Sequence, residues 1–572
     1  MKNYLVSFIF FDIADMLEIK GENFFKIRAY RKAARVIASL PEDIEEMMKT
    51  SSLGSMEGIG KALEGKIKEI IETGTCRYYE ELKKDIPRGL VEMLKIPGLG
   101  AKRVKTIYDA LHITTIDELE QAAKNHKLRG LPGIGVKTEQ SILKGIQMLK
   151  GKAGKMLLST ALYLADEIKD MLRCLPAVEK VEVAGSLRRR KELISNIDVV
   201  VSSQSPTEVV EGFLVYPRIA EILARDPNKT SVVLDIGVQV DLRIVEPRSF
   251  WAAMHHYTGN KDHSAKLVGI AKRKGLDFSE CGIIKKGSGE AIYPESEEAV
   301  YKLLDMPFII PELREDKGEI EAAVEGRLPE PIELTDIKGD LHVHSDWSDG
   351  INSIEEIAIR ARDMGYEYVA ITDHSKSLKV ARGLDEERLM RQVELIKKLN
   401  REITGIKILT GIEVDILTND LLDFDDDILK ELDVVIASIH SGFKQDREKL
   451  TRRIVSAMHN PYVNIIAHPT GRMLGRRDPY DVDVDVILKT AAETNTFLEI
   501  NSSPDRLDLN DHLTKKAKEI GVKMVINTDS HELEGLKDMR YGVWVARRGW
   551  LEKRDVINTL PLPRLLEVLG KK

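Results

Sequence analysis

The amino-acid sequence predicts a multidomain protein with a helical N-terminal third, an α+β middle region and a C-terminal barrel of alternating strands and helices. Three observations support this prediction. Amphipathic helices joined by repeated Gly-apolar-Gly turns fill the first 150 residues. Two apolar strands that carry acids lie in the middle, and strand candidates alternate with helices after residue 338. A chain of 572 residues is long enough for roughly three to five domains.

The composition is that of an ordinary globular protein, with 43% hydrophobic and 31% charged residues. No apolar run approaches the length of a membrane span, and the N-terminus lacks a signal-peptide pattern. Cys76, Cys174 and Cys281 form neither a metal pattern nor a disulfide framework. We therefore expect a cytoplasmic monomer without a membrane partner. The net charge of −7 does not exclude nucleic acid, because such a binding surface is local.

The N-terminal third contains a short internal repeat, Gly-apolar-Gly followed by lysine. Such a turn presents main-chain N–H groups at the start of the next helix, where they can hold a phosphate. One turn of this kind also ends ordinary helices, but the repetition indicates helix-hairpin-helix motifs that bind the DNA backbone without reading sequence. The residues are Gly58, Gly60 and Lys61; Gly98, Gly100 and Lys102; and Gly133, Gly135 and Lys137.

In the middle region, the turn Gly185-Ser186 is followed by four cations at positions 188–191 and then by Asn196-Ile197-Asp198. Alternate residues of a strand share a face, so Asn196 and Asp198 are expected to lie side by side. A second apolar strand brings Asp241. Neighbouring carboxylates of this kind suit two Mg²⁺ ions in phosphoryl or nucleotidyl transfer. The alternative is a surface turn and two core strands with acids at their ends.

This pattern, Gly185-Ser186-x-Arg188-Arg189 through Ile197-Asp198, resembles the palm signature of the family X DNA polymerases. The family has three aspartates here; Asp198 and Asp241 match the second and third, and Asn196 replaces the first. The resemblance implies a DNA-directed DNA polymerase that uses Mg²⁺ or Mn²⁺ and dNTPs. It also implies that Ser186 and Arg188, with Gly185, hold the triphosphate. An amide offers a metal one neutral oxygen and no charge, so Asn196 is expected to act as an impaired third partner.

Two further segments resemble parts of the same family. His256-Tyr257-Thr258-Gly259-Asn260 is similar to its nucleotide-binding Tyr-Phe-Thr-Gly-Ser segment, which implies that Tyr257, Thr258, Gly259 and Asn260 contact the incoming nucleotide. The family's 5′-deoxyribose-phosphate lyase lysine lies eight residues after the first glycine of the first hairpin, which is Lys66 here. A lone lysine on an exposed helix is otherwise simply solvated.

After residue 338, short apolar strands alternate with amphipathic helices, which predicts parallel strands in a closed barrel of the TIM type. Histidines and acids follow the strands in turn, and the carboxyl ends of barrel strands meet at one face. Imidazole mixed with carboxylate and without thiolate suits Zn²⁺, Mn²⁺ or Fe²⁺ in a hydrolytic role. The residues are His342, His344, Asp349, His374, Glu413, His440, His468, Asp529 and His531.

This histidine-rich pattern resembles the PHP (polymerase and histidinol phosphatase) domain, a distorted (β/α)7 barrel, and fills all nine of its metal-ligand positions. The resemblance implies three ions. The first would be held by His342, His344, Glu413 and Asp529, the second by Glu413, His440 and His468, and the third by Asp349, His374 and His531.

Together the two resemblances cover nearly the whole chain and imply a particular domain organisation. Residues 1–85 form a helical DNA-binding domain of the 8 kDa type, 86–154 the fingers, 155–265 the palm, 266–320 the thumb, 321–336 a linker and 337–572 the PHP domain.

The leading hypothesis is a DNA repair enzyme, of the base-excision kind, that binds gapped or nicked DNA. Its palm would fill gaps, and its PHP site would act as a 3′-to-5′ exonuclease, with abasic-site cleavage or 3′-phosphatase activity as further options. A second hypothesis makes the palm a DNA-binding scaffold without synthesis, because Asn196 replaces an aspartate. A third makes the barrel a small-molecule phosphatase of the histidinol-phosphate kind, which would leave the hairpins without a role.

Overall fold

The computed structural model describes residues 2–38, 44–50, 59–94, 96, 99–151 and 155–570. The chain divides into two compact units, residues 1–153 with 475–477, and residues 154–474 with 478–572. The first is helical and the second contains the sheets, which confirms the predicted multidomain fold class. Among the described residues, no helix is both long and apolar enough to cross a membrane.

The N-terminal unit is built from helices around one apolar core, in which Phe10 and Ile13 of the first helix are fully buried beside Ile67 and Ile70 of the fourth. Burial of such side chains is the main favourable term in its folding. Its described helices are α1 (Lys2–Lys20), α2 (Phe24–Ala38), α3 (Ile44–Thr50), α4 (Lys61–Thr73), α5 (Arg77–Asp85), α6 (Arg88–Met93), α7 (Ala101–Leu111), α8 (Ile116–Lys124) and α9 (Val136–Gly151).

The second unit begins with a twisted sheet of strand order β2-β4-β7-β6-β5, in which β4 and β7 run parallel. The register places Asp198 directly opposite Asp241. The elements are β1 (Met156–Leu157), α10 (Leu158–Arg173), β2 (Lys180–Val183), α11 (Gly185–Arg188), β3 (Leu193–Ile194), β4 (Asn196–Ser202), α12 (Pro206–Leu214), β5 (Ile219–Asp226), β6 (Lys229–Leu234), β7 (Gln239–Val245) and α13 (Phe250–Thr258).

A small region with an antiparallel sheet, of order β10-β9-β8, follows this palm sheet. The stretch 321–336, predicted to be a linker, begins inside a helix, and its residues Ala322, Ala323 and Ile332 are buried. The elements are α14 (Lys261–Arg273), β8 (Leu276–Ser279), β9 (Gly282–Lys285), β10 (Ala291–Ile292), α15 (Glu297–Leu303) and α16 (Glu319–Val324).

Between residues 339 and 527, all of which the structure describes, seven parallel strands form one sheet in sequence order. The sheet closes on itself, because Asp529 N donates to His342 O at 3.0 Å and His344 N donates to Ser530 O at 2.8 Å. The predicted barrel is therefore confirmed. Its elements are β11 (Gly339–Val343), α17 (Ile354–Asp363), β12 (Tyr368–Ile371), α18 (Glu386–Glu402), β13 (Lys407–Asp415), α19 (Asp426–Leu429), β14 (Val434–Ser438), α20 (Arg447–His459), β15 (Ile465–Ile466), α21 (Val484–Thr494), β16 (Phe497–Asn501), α22 (Asp511–Ile520), β17 (Met524–Asn527), α23 (Met539–Arg548) and α24 (Leu562–Leu569).

Candidate active sites

The structure brings the nine predicted histidine and acidic side chains of the barrel together at the carboxyl ends of its strands. His342 lies in β11 and Glu413 in β13, while the others follow β11, β12, β14, β15 and β17. Glu413 is buried at the centre, and one of its oxygens, Oε2, lies 2.8 Å from His374 Nδ1 and 3.6 Å from Nε2 of both His342 and His344. The other, Oε1, lies 3.4 Å from His440 and 3.0 Å from His468.

Three groups of these side chains have ligand atoms within 4.8 Å of one another. The first two resemble sets expected from the sequence. In the third, His374 stands with Glu413 and His440, whereas His468 hydrogen-bonds Glu413 Oε1. The groups are His342, His344 and Asp529; His344, Asp349, His374 and His531; and His374, Glu413 and His440.

Several buried nitrogen and oxygen atoms of this cluster lie close to atoms of opposite charge but form no hydrogen bond. Among the described residues, His342 Nε2, both ring nitrogens of His344, and Glu413 Oε2 have no hydrogen-bond partner. A buried polar atom left in this state costs about 1–3 kcal/mol. Imidazole and carboxylate donors without thiolate fit a divalent metal ion. The residues present therefore fit metal ions, and a cavity of about 210 Å³ opens beside them.

The charges at the barrel mouth stabilise one another. Burial raises the pKa of Glu413, but the imidazoles of His440, His374 and His342 outweigh burial and hold it well below its usual range. Burial likewise lowers the pKa of His531, and the carboxylates of Asp349 and Asp529 raise it to about 9. The pKa values of His342 and His374 are also raised, whereas burial and the charges of His531 and His374 lower the pKa of His344 to about 3. Bound metal ions would displace protons from the imidazoles that carry them.

Glu499 in β16 was not predicted as a site residue. It is fully buried, its Oε1 lies 2.7 Å from His342 Nδ1, and its Oε2 accepts from His468 N at 2.8 Å. A carboxylate on Nδ1 fixes the tautomer of His342 and leaves Nε2 available to the cluster. Position could have identified it, because β16 is the one strand among the seven of the barrel that has none of the nine predicted residues at its end.

Two other residues of the barrel mouth were also missed. Asp415 follows Glu413 on the same strand face and lies 3.3 Å from His440 Nδ1. Arg506 lines the cavity with the histidines, and its Nε lies 3.5 Å from Asp529 Oδ2. Arg506 is a fixed positive charge on a loop, where spacing in the sequence gives no signal.

In the palm, the three predicted residues lie together on β4 and β7. Asn196 Nδ2 donates to Asp241 Oδ2 at 3.0 Å, so its NH2 group faces the carboxylate, and the amide would have to turn over for its oxygen to contact a cation there. Asp241 also accepts from Ser231 Oγ at 2.5 Å and Gln239 Nε2 at 2.9 Å. Gly185 has φ +58, and a Cβ there would lie 2.2 Å from Asp198 Oδ2, so only glycine allows the turn to approach this carboxylate.

Burial, followed by the negative charge of Asp241, raises the pKa of Asp198 to about 6. Arg243, two residues beyond Asp241 on β7, partly opposes this rise. The guanidinium of Arg243 also lies 4.3 Å from the ring centroid of Tyr257. Two neighbouring carboxylates repel each other when both are ionised, so a divalent cation bound between them would stabilise the ionised pair.

The predicted nucleotide-binding residues lie close to one another, but some of their side chains already bind other groups of the protein. Arg188 donates to Thr258 Oγ1 at 2.6 Å and forms an ion pair with Glu297. Asn260 caps α14 by accepting from His263 N, and its Nδ2 donates to Glu315 O at 2.9 Å. Arg188 is therefore paired with a carboxylate, and a triphosphate would have to replace that partner.

In the N-terminal unit, the described parts of the Gly-apolar-Gly turns have the expected geometry. Ile59, Leu99 and Ile134 are each 2% exposed. Gly60 and Gly100 directly precede α4 and α7, and Gly133-Ile134-Gly135 directly precedes α9. Lys61, Lys102 and Lys137 are exposed. The predicted residues Gly58 and Gly98 lie outside the described residues.

Lys66 lies on α4, where its Nζ is 5.1 Å from the ring centroid of Tyr78. Lys26 lies over the same ring at 5.3 Å, and the ring of Tyr30 stacks with it at a centroid distance of 6.2 Å. The structure thus places Lys66 in a small aromatic and basic cluster.

Known proteins that are similar to this chain include a DNA polymerase and probable phosphatases. Family models match as a helix-hairpin-helix domain (residues 1–76), a SAM-like helix-hairpin-helix tandem (90–148), a DNA polymerase beta thumb (253–315) and a PHP domain (340–503). The "DNA polymerase/3′-5′ exonuclease PolX" of Bacillus subtilis (strain 168) is 43% identical over 556 residues, 96% of each chain. A probable phosphatase of Thermoanaerobacter sp. (strain X514) is 32% identical over 244 residues, which are 41% of this chain and 94% of the phosphatase.

The raised pKa of Asp198 makes its effect on stability depend on pH. Because the folded pKa of about 6 exceeds the ordinary value of 3.8, the stabilising effect of the proton is lost as pH rises through about 6. Asp198→Asn should therefore raise the free energy of unfolding at pH 7.5 by up to about 3 kcal/mol. At pH 4 the change should be small. Thermal unfolding in EDTA at both pH values measures this, with exposed Asp226→Asn as control. Equal midpoints for wild type and Asp198→Asn at pH 7.5 would contradict it.

The contact between Glu499 and His342 predicts an effect on metal affinity. Glu499→Gln keeps the shape of the side chain but removes the charge that holds the His342 ring, so Mn²⁺ should bind about 10- to 100-fold more weakly. Mn²⁺ titration followed by electron paramagnetic resonance measures this. Glu493→Gln, on the surface of α21, is the control. Unchanged affinity in Glu499→Gln would show that the contact does not position the histidine.

Proposed function

This chain belongs to the PolX family of DNA polymerases, and on that premise we propose that it is a two-activity DNA repair enzyme. Its palm adds dNTPs to the primer end of gapped or nicked DNA, and its PHP barrel removes nucleotides from 3′ ends. The observation that carries the proposal is that one chain contains two separate acidic constellations, at Asp198 and Asp241 and around Glu413, each suited to divalent cations.

For nucleotide addition, Asp198 and Asp241 would hold Mg²⁺ or Mn²⁺, with the amide oxygen of Asn196 as a weak third ligand. Such ions neutralise the triphosphate and favour ionisation of the primer hydroxyl. The turn at Gly185 and Ser186 supplies main-chain N–H groups and a hydroxyl near these carboxylates. Arg188 exchanges Glu297 for a phosphate of the incoming dNTP. Tyr257, held by Arg243, packs against the sugar with Thr258, Gly259 and Asn260.

For hydrolysis, the histidines and acids around Glu413 would hold up to three Mn²⁺, Zn²⁺ or Fe²⁺ ions. Such ions lower the pKa of water and stabilise the leaving oxygen. Glu499 and Asp415 orient the imidazoles of His342 and His440. Arg506, whose guanidinium faces the cavity, binds a non-bridging oxygen of the scissile phosphate. The guanidinium of Arg506 therefore favours substrates that carry a phosphate.

For DNA binding, the exposed turns before α4, α7 and α9 hold backbone phosphates at helix N-termini, with Lys61, Lys102 and Lys137 beside them. These contacts do not read sequence, which suits an enzyme that acts on gaps and ends. We propose that Lys66, in its aromatic cluster, lies near a 5′ end and supplies the lyase nucleophile.

A second candidate function is supported by the similarity between the barrel and probable phosphatases. In this alternative, the PHP site removes a terminal 3′-phosphate or cleaves at an abasic site. The same cluster would hold the phosphate, so substrate preference alone separates these reactions from exonuclease activity.

The proposal predicts that the two activities can be removed separately. With a 5′-labelled primer in one-nucleotide-gapped DNA, Mn²⁺ and dNTPs, the wild type should both extend and shorten the primer. Asp241→Asn should lower extension at least about 100-fold and leave shortening intact, and Glu413→Gln should do the reverse. Gel analysis of timed reactions measures both. Shortening alone in the wild type would make the palm a scaffold, and an unchanged primer would refute both activities.

A further inference from the structure

The basic turn of the palm, residues 185–192, is held by side chains of the barrel. Arg190 lies with its guanidinium 4.3 Å from the ring centroid of Trp544 on α23. Glu192 forms an ion pair with Arg472, which follows β15, at 2.6 Å. Both contacts belong to the same compact unit of the chain. The polymerase turn thus rests on the nuclease barrel, and it is the turn that carries Ser186 and Arg188.

Arg548, the last residue of α23, lies at the centre of this interface between the palm turn and the barrel. It is 6% exposed. Its Nη1 donates to Arg189 O at 2.6 Å and to Glu315 Oε1 at 3.2 Å, and its Nη2 donates to Asp511 Oδ2 at 2.7 Å. One guanidinium from the barrel therefore joins a main-chain carbonyl of the palm turn to two carboxylates.

Glu315 connects Arg548 to the nucleotide-binding segment. Its Oε1 also accepts from Arg189 Nε at 2.9 Å, so two arginines share one buried carboxylate. Arg189 Nη1 donates to Thr258 O at 2.8 Å, and the main-chain oxygen of Glu315 accepts from Asn260 Nδ2. The carboxylate of Glu315 thus fixes the turn against the Thr258–Asn260 segment, and Arg548 fixes that carboxylate.

We propose that Arg548 is a positioning residue for nucleotide addition, supplied by the PHP barrel to the polymerase palm. It makes no contact with the nucleotide itself. It sets the separation between the two halves of the triphosphate site, the 185–192 turn and the 258–260 segment. This inference rests on the proposed gap-filling activity. Removing Arg548 from this buried ion network leaves Glu315 with Arg189 and Asp511 with Lys317, and it breaks the hydrogen bond to Arg189 O. The turn then loses the contact that fixes its position relative to the 258–260 segment.

The neighbouring Arg547 provides a matched control. It donates to Glu312 Oε1 at 3.0 Å and to Glu333 Oε1 at 2.5 Å. Arg547 carries the same charge as Arg548, lies on the same helix, and has a side chain that is 12% exposed. Its partners lie outside the 185–192 turn and the 258–260 segment. Arg547→Met therefore perturbs the same interface without touching the triphosphate site.

The test compares steady-state gap filling and exonuclease rates of Arg548→Met, Arg548→Lys and Arg547→Met in the full chain. Arg548→Met should raise KM for dNTP at least about 10-fold, with a smaller change in kcat, because binding of the nucleotide is what the turn supports. Arg548→Lys should show an intermediate KM, since it keeps the charge but not the three contacts. Arg547→Met should keep KM within twofold. Exonuclease rates within twofold in all variants show that the barrel is intact.

The outcomes separate this inference from the proposed function. A wild type without gap filling refutes the proposed function and the inference with it. A wild type that fills gaps, beside Arg548→Met with an unchanged KM, refutes only the inference. Equal KM increases in Arg548→Met and Arg547→Met also refute it, because the effect would then belong to the interface in general. If Arg548→Met fails to fold, Trp544→Leu replaces it, with an expected KM increase of about threefold and an unchanged KM as the contradicting result.

Discussion

Glu413 is a buried carboxylate with nitrogen atoms of five histidines between 2.8 and 3.6 Å from its oxygens. Such a charge is tolerable inside a protein only if cations surround it. His342 and His374, whose pKa values are raised, offset this charge, and metal ions would take over that role. The parallel barrel allows these histidines to surround Glu413, because the carboxyl ends of its strands lie at one face. Asp415, Glu499 and Arg506 are arranged around this centre.

The palm also holds acidic side chains close together, but with fewer residues around them. Asp198 and Asp241 lie opposite each other on parallel strands, and the Asn196 amide occupies the third position as a hydrogen-bond donor to Asp241. A neutral amide lowers the repulsion in the metal-free palm and weakens its hold on a cation. The turn beside these residues is stabilised from outside, by Arg548, Trp544 and Arg472 of the barrel. The two catalytic regions are thus structurally connected within one compact unit.

The sequence predicted the barrel and the nine side chains at its mouth because strands alternate with helices there, and because six of the thirteen histidines lie at the ends of those strands. It did not predict Glu499 at β16, because the pattern of metal ligands contains no position for a carboxylate that orients one of the ligands. Pairing of Arg188 with Glu297 could not be foreseen, since 109 positions separate them in sequence. The stretch 321–336 has the composition of a linker, yet Ile332 is buried and helix α16 crosses its start. The composition of a segment does not show which of its side chains pack against the rest of the protein.

If one chain carries two metal-dependent catalytic centres, metal ions should bind at two separate places in it. Crystals of the full chain soaked in Mn²⁺ would be measured by anomalous diffraction. We expect anomalous peaks in contact with Glu413 and its histidines, and a separate peak in contact with Asp198 and Asp241. Peaks confined to exposed carboxylates, with none at either constellation, would contradict this expectation.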